Sequence, residues 1–105
     1  MSVVALVKGN GVDSSMAIAT ETAFEQVWLP PSEELGLIWI PLFQSGLDIR
    51  RDDWDDIADE LQRLKSWALA KGDDETREYL VERIDRLLSE IPTFLDAPDG
   101  EVWIG

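Results

Sequence analysis

The side chains available for chemistry in this sequence are mostly carboxylates. The stretch RRDDWDDIADE, residues 50–60, gathers Asp52, Asp53, Asp55, Asp56, Asp59 and Glu60 into one short segment. Carboxylates so arranged have two chemical uses: they ligate a hard cation such as magnesium, or they hold the basic groups of a partner by charge. The chain contains no histidine and no cysteine. A general base would therefore have to be a carboxylate, lysine or tyrosine, and a thiol nucleophile, a disulfide or a zinc–thiolate site is excluded. No G-x-S-x-G, P-loop or G-x-G-x-x-G pattern occurs, so the acyl-transfer and nucleotide-binding motifs are missing. The aspartates lack the order of an EF-hand loop, and DAPDGE (96–101) is only a fragment of a calcium-type turn. The expectation is a protein without catalytic activity, metal or cofactor.

Charge narrows the partner class. Twenty-two acids against nine bases leave −13, with the excess concentrated in the second half of the chain. Such a field repels nucleic acid and anionic membrane, and it accelerates encounter with basic proteins. Apolar residues at 45% and charged residues at 30% are ordinary for one globular domain spanning 1–105. The apolar start, SVVALVK, is too short for a signal peptide and has no basic region before it, so a cytoplasmic location is expected.

The pattern around the acids says what must position them. Residues 2–8 are β-branched and apolar, GNG (9–11) reads as a turn, and SMAIAT (15–20) returns as a second strand. AFEQVWL (23–29) alternates as a third strand would, and LIWIPLF (37–43) reads as a fourth, with Pro41 confining its end to an edge or a bulge. After Gly46 the period becomes helical: Trp54, Ile57, Leu61, Leu64 and Ala68 fall three and four apart, with Ala58 and Leu69 alongside. Asp52 is the expected N-cap and Gly72 the left-handed residue past the C-terminus. A second helix is expected from about 74 to 90, ended by Pro92, with Leu80, Ile84, Leu87, Leu88 and Ile91 inward and a Glu82–Arg86 pair on its surface. The short link requires an antiparallel hairpin. EVWIG (101–105) reads as a closing strand. The expected fold is α+β: an antiparallel sheet of about four to five strands, with the helical hairpin (about 52–71 and 74–90) packed on one face.

On the first helix Asp52, Asp55, Asp56 and Asp59 project nearly opposite the apolar row, with Glu60 on a flank. Acids at a helix start favour the macrodipole, and Asp59 is spaced to pair with Arg63. Arg63 is nevertheless the only base on that face, so the aspartates exceed what a solvated helix needs. Of the five tryptophans, Trp28, Trp39, Trp54 and Trp103 read as core. Trp67 lies off its helix's apolar stripe, where an indole would serve as an interface anchor. The candidate binding residues are therefore Asp52, Asp55, Asp56, Asp59, Glu60 and Trp67.

Length, acidity, absence of catalytic residues, and acids beside tryptophan, as in DDWDDIADEL, LQRLKSWALA and WLPPSEELGLIWIPLF, resemble the small immunity proteins encoded beside bacterial polymorphic or contact-dependent toxins. That resemblance implies a cytoplasmic inhibitor that occludes a cognate protein toxin with a basic surface, often a nuclease. Two other readings stay open. Acids continuing along the second helix (Asp73, Asp74, Glu75, Glu78, Glu82, Asp85) would suit a DNA mimic that blocks a DNA-binding protein. DDIAD (55–59) and ERID (82–85) resemble the EExxE…ExxD carboxylates of all-α nucleotide pyrophosphohydrolases, although the first motif here is all aspartate and the chain before it reads as β. Five tryptophans and an edge strand would also suit a homodimer.

Overall fold

The computed structural model describes residues 2–105. Two strands, β1 (Ser2–Gly9) and β2 (Val12–Thr20), form an antiparallel hairpin that pairs Gly9 with Val12 across Asn10 and Gly11. Both turn residues have positive φ (53° and 77°), the conformation that an Asn-Gly two-residue turn supplies with least strain. Val3, Ala5 and Val7 alternate into the core, as a strand covered on one side requires.

The pairing slips once. Val3 faces Ala19 but Val4 faces Ala17, which leaves Ile18 as an extra residue on β2. Its carbonyl is taken up by side chains: the Tyr79 hydroxyl donates to it at 3.1 Å and Arg83 Nε at 3.2 Å. The Trp28 indole donates in turn to the Tyr79 hydroxyl at 3.2 Å, and the Arg83 guanidinium lies 5.2 Å from the Tyr79 ring centre. The bulge is thereby tied to two helical segments.

Residues 23–29 are helical and 37–43 hold one helical turn, at 39–42, with no strand in either, against the strand expectation. After the Thr20 cap come a turn of helix α1 (Glu21–Ala23), a π-helical stretch (Phe24–Trp28) and helix α2 (Leu29–Glu34). Phe24 and Trp28 satisfy a period of four as well as a period of two, and as a helical pair they stack at 5.7 Å in the core. The widened turn stands just before Pro30 and Pro31, which have no N–H to continue an α-ladder and crowd the carbonyls behind them. In the second segment Leu37, Ile40 and Phe43, three apart, are buried around the single turn of helix α3 (Trp39–Leu42). A strand absent from the sequence reading follows: β3 (Leu47–Ile49) has only three residues, too few to show a period.

Helices α4 (Arg51–Lys71) and α5 (Asp74–Leu95) form the antiparallel hairpin, and β4 (Glu101–Ile104) enters the sheet between β1 and β3. The sheet is four-stranded and wholly antiparallel, in the order β2-β1-β4-β3, with the long helix pair packed on one face. Ile57, Leu61, Leu64 and Ala68 from α4 and Leu80, Ile84, Leu87 and Ile91 from α5 are buried as their spacing required. Each such leucine or isoleucine contributes roughly 2 kcal/mol by leaving water.

Several details differ from expectation. Arg50, not Asp52, is the N-cap of α4, and Asp52 and Asp53 lie in its first turn. Gly72 is extended (φ −72°) rather than left-handed. Helix α5 runs through Pro92 to Leu95, since Ile91 is buried and Phe94 and Leu95 pack against the core beyond it. Arg83, not Arg86, pairs with Glu82, and Arg86 turns to Glu90. Leu69 is exposed, and Trp103 lies on the sheet's outer face at 37% exposure, beside Leu6. No helix among the described residues is long and apolar enough to cross a membrane.

The start of α5 carries a charge-dependent cap. Asp73 accepts the Thr76 N–H at 2.8 Å, and its carboxyl is held below the ordinary value of 3.8, first by that backbone bond, then by the Thr76 side chain, with the Arg77 charge adding to both. A depressed folded pKa stabilises the fold above the unfolded value and is lost as pH falls through the folded one. Asp73→Asn keeps an acceptor but not the charge. It is expected to be less stable than the parent near neutral pH, with a gap that closes progressively once pH drops below 3.8. Urea unfolding across that range measures the gap, and one that does not vary with pH would remove the charge from the account.

Candidate functional site

The six candidate residues all lie on α4, and the helix separates them by role. Asp52, Asp55, Asp56 and Asp59 are exposed, whereas Glu60 is 7% exposed and Trp67 is half-buried. Successive residues turn by about 100°, which sets the four aspartates on one continuous outer arc and turns Glu60 towards the segment carrying α3.

Glu60 is occupied. Its Oε2 accepts the N–H of Ile38 at 2.9 Å, and its Oε1 accepts those of Trp39 at 2.9 Å and Ile40 at 3.1 Å. The first N–H groups of a helix have no partners within it, and α3 has no side-chain cap of its own. The α4 carboxylate supplies the acceptor, through charge-assisted bonds that are stronger than neutral ones. Glu60 therefore leaves the set of partner contacts and becomes the residue that fixes α3 to α4. Local sequence carries no sign of this, because donor and acceptor lie some twenty positions apart.

Trp67 is likewise engaged: its indole N–H donates to Glu34 Oε2 at 2.6 Å, with Lys71 3.8 Å from the same oxygen. The ring stands between two shallow clefts, one lined by Leu35, Arg63 and Lys71, the other by Val27, Pro30 and Pro31. It links α4 to α2 and keeps a partly open edge.

The four aspartates have no such engagement. Among the described residues, none of Asp52, Asp55, Asp56 and Asp59 forms an ion pair. Arg63, spaced to pair with Asp59, instead donates to the Leu35 carbonyl at 3.0 Å. Arg51 pairs with Asp96 on α5's end. The arc borders two different features. On one side Asp52 and Asp55 rim a cleft of about 510 Å³ formed with Trp54, Pro92 and Leu95. On the other, Asp56 lies one helical turn before Glu60, beside α3, where Ile38 (71% exposed) and Leu42 (41%) stand out.

Helix α5 is different. Asp74 pairs with Arg77, Glu82 with Arg83, Asp85 with Lys65 (2.7 Å) and Glu90 with Arg86. Most of its acids are neutralised where they stand. The Lys65–Asp85 contact sets the register of the hairpin and places Asp85 further along α4 than Asp55, Asp56 and Asp59; among the described residues no group of three or more acids is placed to hold a metal ion. Comparison of the chain with protein-family profiles, with characterised proteins and with solved structures finds no match.

The two kinds of acid should separate in a stability assay. Glu60→Ala strands three backbone N–H groups and is expected to cost about 3 kcal/mol. Asp55→Asn/Asp56→Asn/Asp59→Asn removes mutual repulsion and no pairing, and is expected to leave the thermal midpoint unchanged or raise it. Thermal unfolding of both variants checks this, and a triple variant that loses several degrees would mean that the arc has partners within the fold.

Proposed function

We propose that this protein is a non-catalytic inhibitor of the immunity-protein kind, which neutralises a basic protein toxin by covering its working surface. The observation that carries the reading is the outer arc of α4: four exposed aspartates on one face, none in an ion pair, while Arg51 and Arg63 bond elsewhere. Asp52, in the first turn, favours the helix dipole, but Asp55, Asp56 and Asp59 lie beyond that turn, and like charges at helical spacing repel. A partner with lysines and arginines turns the repulsion into attraction.

The physical course of such inhibition follows. The −13 field would draw in a cationic protein at rates that depend on ionic strength. Carboxylates facing groups that otherwise grip phosphate would then exclude the toxin's substrate, if the toxin is a nuclease. No step requires the inhibitor to make or break a bond. The DNA-mimic reading needs acids unneutralised over an extended surface, and the ion pairs along α5 leave it less support than the α4 arc gives to a compact interface. In this reading the inhibitor acts in the cytoplasm, where the toxin must be intercepted.

The test uses the C-terminal domain of the protein encoded in the neighbouring reading frame. Its activity and its binding are measured with the parent chain and with Asp55→Asn/Asp56→Asn/Asp59→Asn. Binding should weaken by much more than tenfold, mostly through slower association at low salt. Full inhibition by the triple variant would show that this face is not the contact surface.

A further inference from the structure

The acidic arc explains attraction but not residence, because exposed charges mainly set association rates and specificity. A long-lived complex needs an apolar anchor that leaves water on binding. The structure holds one beside the arc. Ile38 and Leu42 are four residues apart on the α3 turn, so their side chains share a side. They are exposed at 71% and 41%, while Leu37, Ile40 and Phe43 beneath them are buried.

This turn is not loose. The Glu60 carboxylate binds the N–H groups of Ile38, Trp39 and Ile40, Arg63 binds the Leu35 carbonyl, and the Leu37 N–H donates to the Ser32 carbonyl at 2.9 Å. An exposed isoleucine on a backbone held from below loses little conformational entropy on docking. Acids accompany it. Asp56 lies one helical turn before Glu60 on α4, Glu25 accepts a bond from Gln44, just past α3, at 2.9 Å, and the Arg63 guanidinium is turned to the Leu35 carbonyl.

We infer that Ile38, with Leu42, is the apolar anchor of the interface, and that it enters an apolar cleft rimmed by lysine or arginine on a basic partner protein. This rests on the inhibitor reading and adds the side from which the partner docks: the α3 flank of the arc rather than the cleft beside α5. A second copy of the chain is a poor occupant, because it would bring the same acids to the same place. Glu60 acts here as a positioning residue that never touches the partner.

Surface binding kinetics with the neighbouring frame's C-terminal domain test the anchor. The parent is compared with Ile38→Ala, with Leu69→Ala as a control at another exposed apolar residue (53%), further along α4, and with the triple aspartate variant. Ile38→Ala should speed dissociation about thirtyfold, the range of an interface hot spot, and leave association and its salt dependence unchanged. Leu69→Ala should bind as the parent does. Parent-like dissociation of Ile38→Ala alongside weakened binding by the aspartate variant would overturn the anchor and leave the acidic surface standing. Loss of association in Ile38→Ala, or dimerisation of the free chain abolished by that substitution in sedimentation, would also overturn it. Failure of the parent itself to bind would overturn both readings.

Discussion

The carboxylate of Glu60 reaches from the middle of a 21-residue helix and closes the start of another segment through three backbone N–H groups. The stretch from Leu35 to Gly46 depends most on such long-range bonds, because its only regular element is the single turn of α3. Without an acceptor there, the single turn of α3 would have unpaired donors close to the core, an expensive condition in a low-dielectric interior. With it, Leu37, Ile40 and Phe43 are held down and Ile38 and Leu42 are held out. One side chain thus sets both a part of the core and the shape of the surface beside the aspartates.

The Ile18 bulge is the second such device. An extra residue in β2 leaves a carbonyl outside the ladder, and Tyr79 and Arg83 of α5 claim it while Trp28 bonds to Tyr79. Sheet, π-helical stretch and long helix meet in this one network. The other long helix, α4, turns Glu60 inward and leaves Asp52, Asp55, Asp56 and Asp59 exposed. In α5 most acids have bases within reach, but along the outer arc of α4 the bases bond to other groups. Asp52, Asp55, Asp56 and Asp59 thus stand outside the ion pairs that neutralise acids elsewhere in the fold.

Legibility of the chain followed the length of each pattern. The α4 and α5 stripes repeat over five or six turns, so their inward residues were readable, and the Asn-Gly turn and the closing strand carried clear local chemistry. AFEQVWL and LIWIPLF misled because a short apolar run satisfies both periods, and Pro30 and Pro31 beyond the first run suit the first turn of α2. The four aspartates were found from spacing alone, since exposure on a helix follows from the position of its buried stripe. Glu60 looked like a member of that surface, being one residue past Asp59. Ile38 was read as part of a strand and not as a surface feature at all.

What the sequence determined by itself was the α+β class, the hairpin of long helices, and the excess of acid over base on one helical face. These are properties of composition and of periods sustained over many residues, which local sterics and burial enforce. Tertiary structure alone decided that residues 23–29 and 39–42 coil rather than extend, that Glu60 turns inward, and that Arg63 bonds to a carbonyl instead of an aspartate. Each of those outcomes depends on partners far away in the chain, and hydrogen bonds between distant groups form only once the core has brought them within 3 Å. The charge was written in the chain, but which charges remain unanswered was settled by folding.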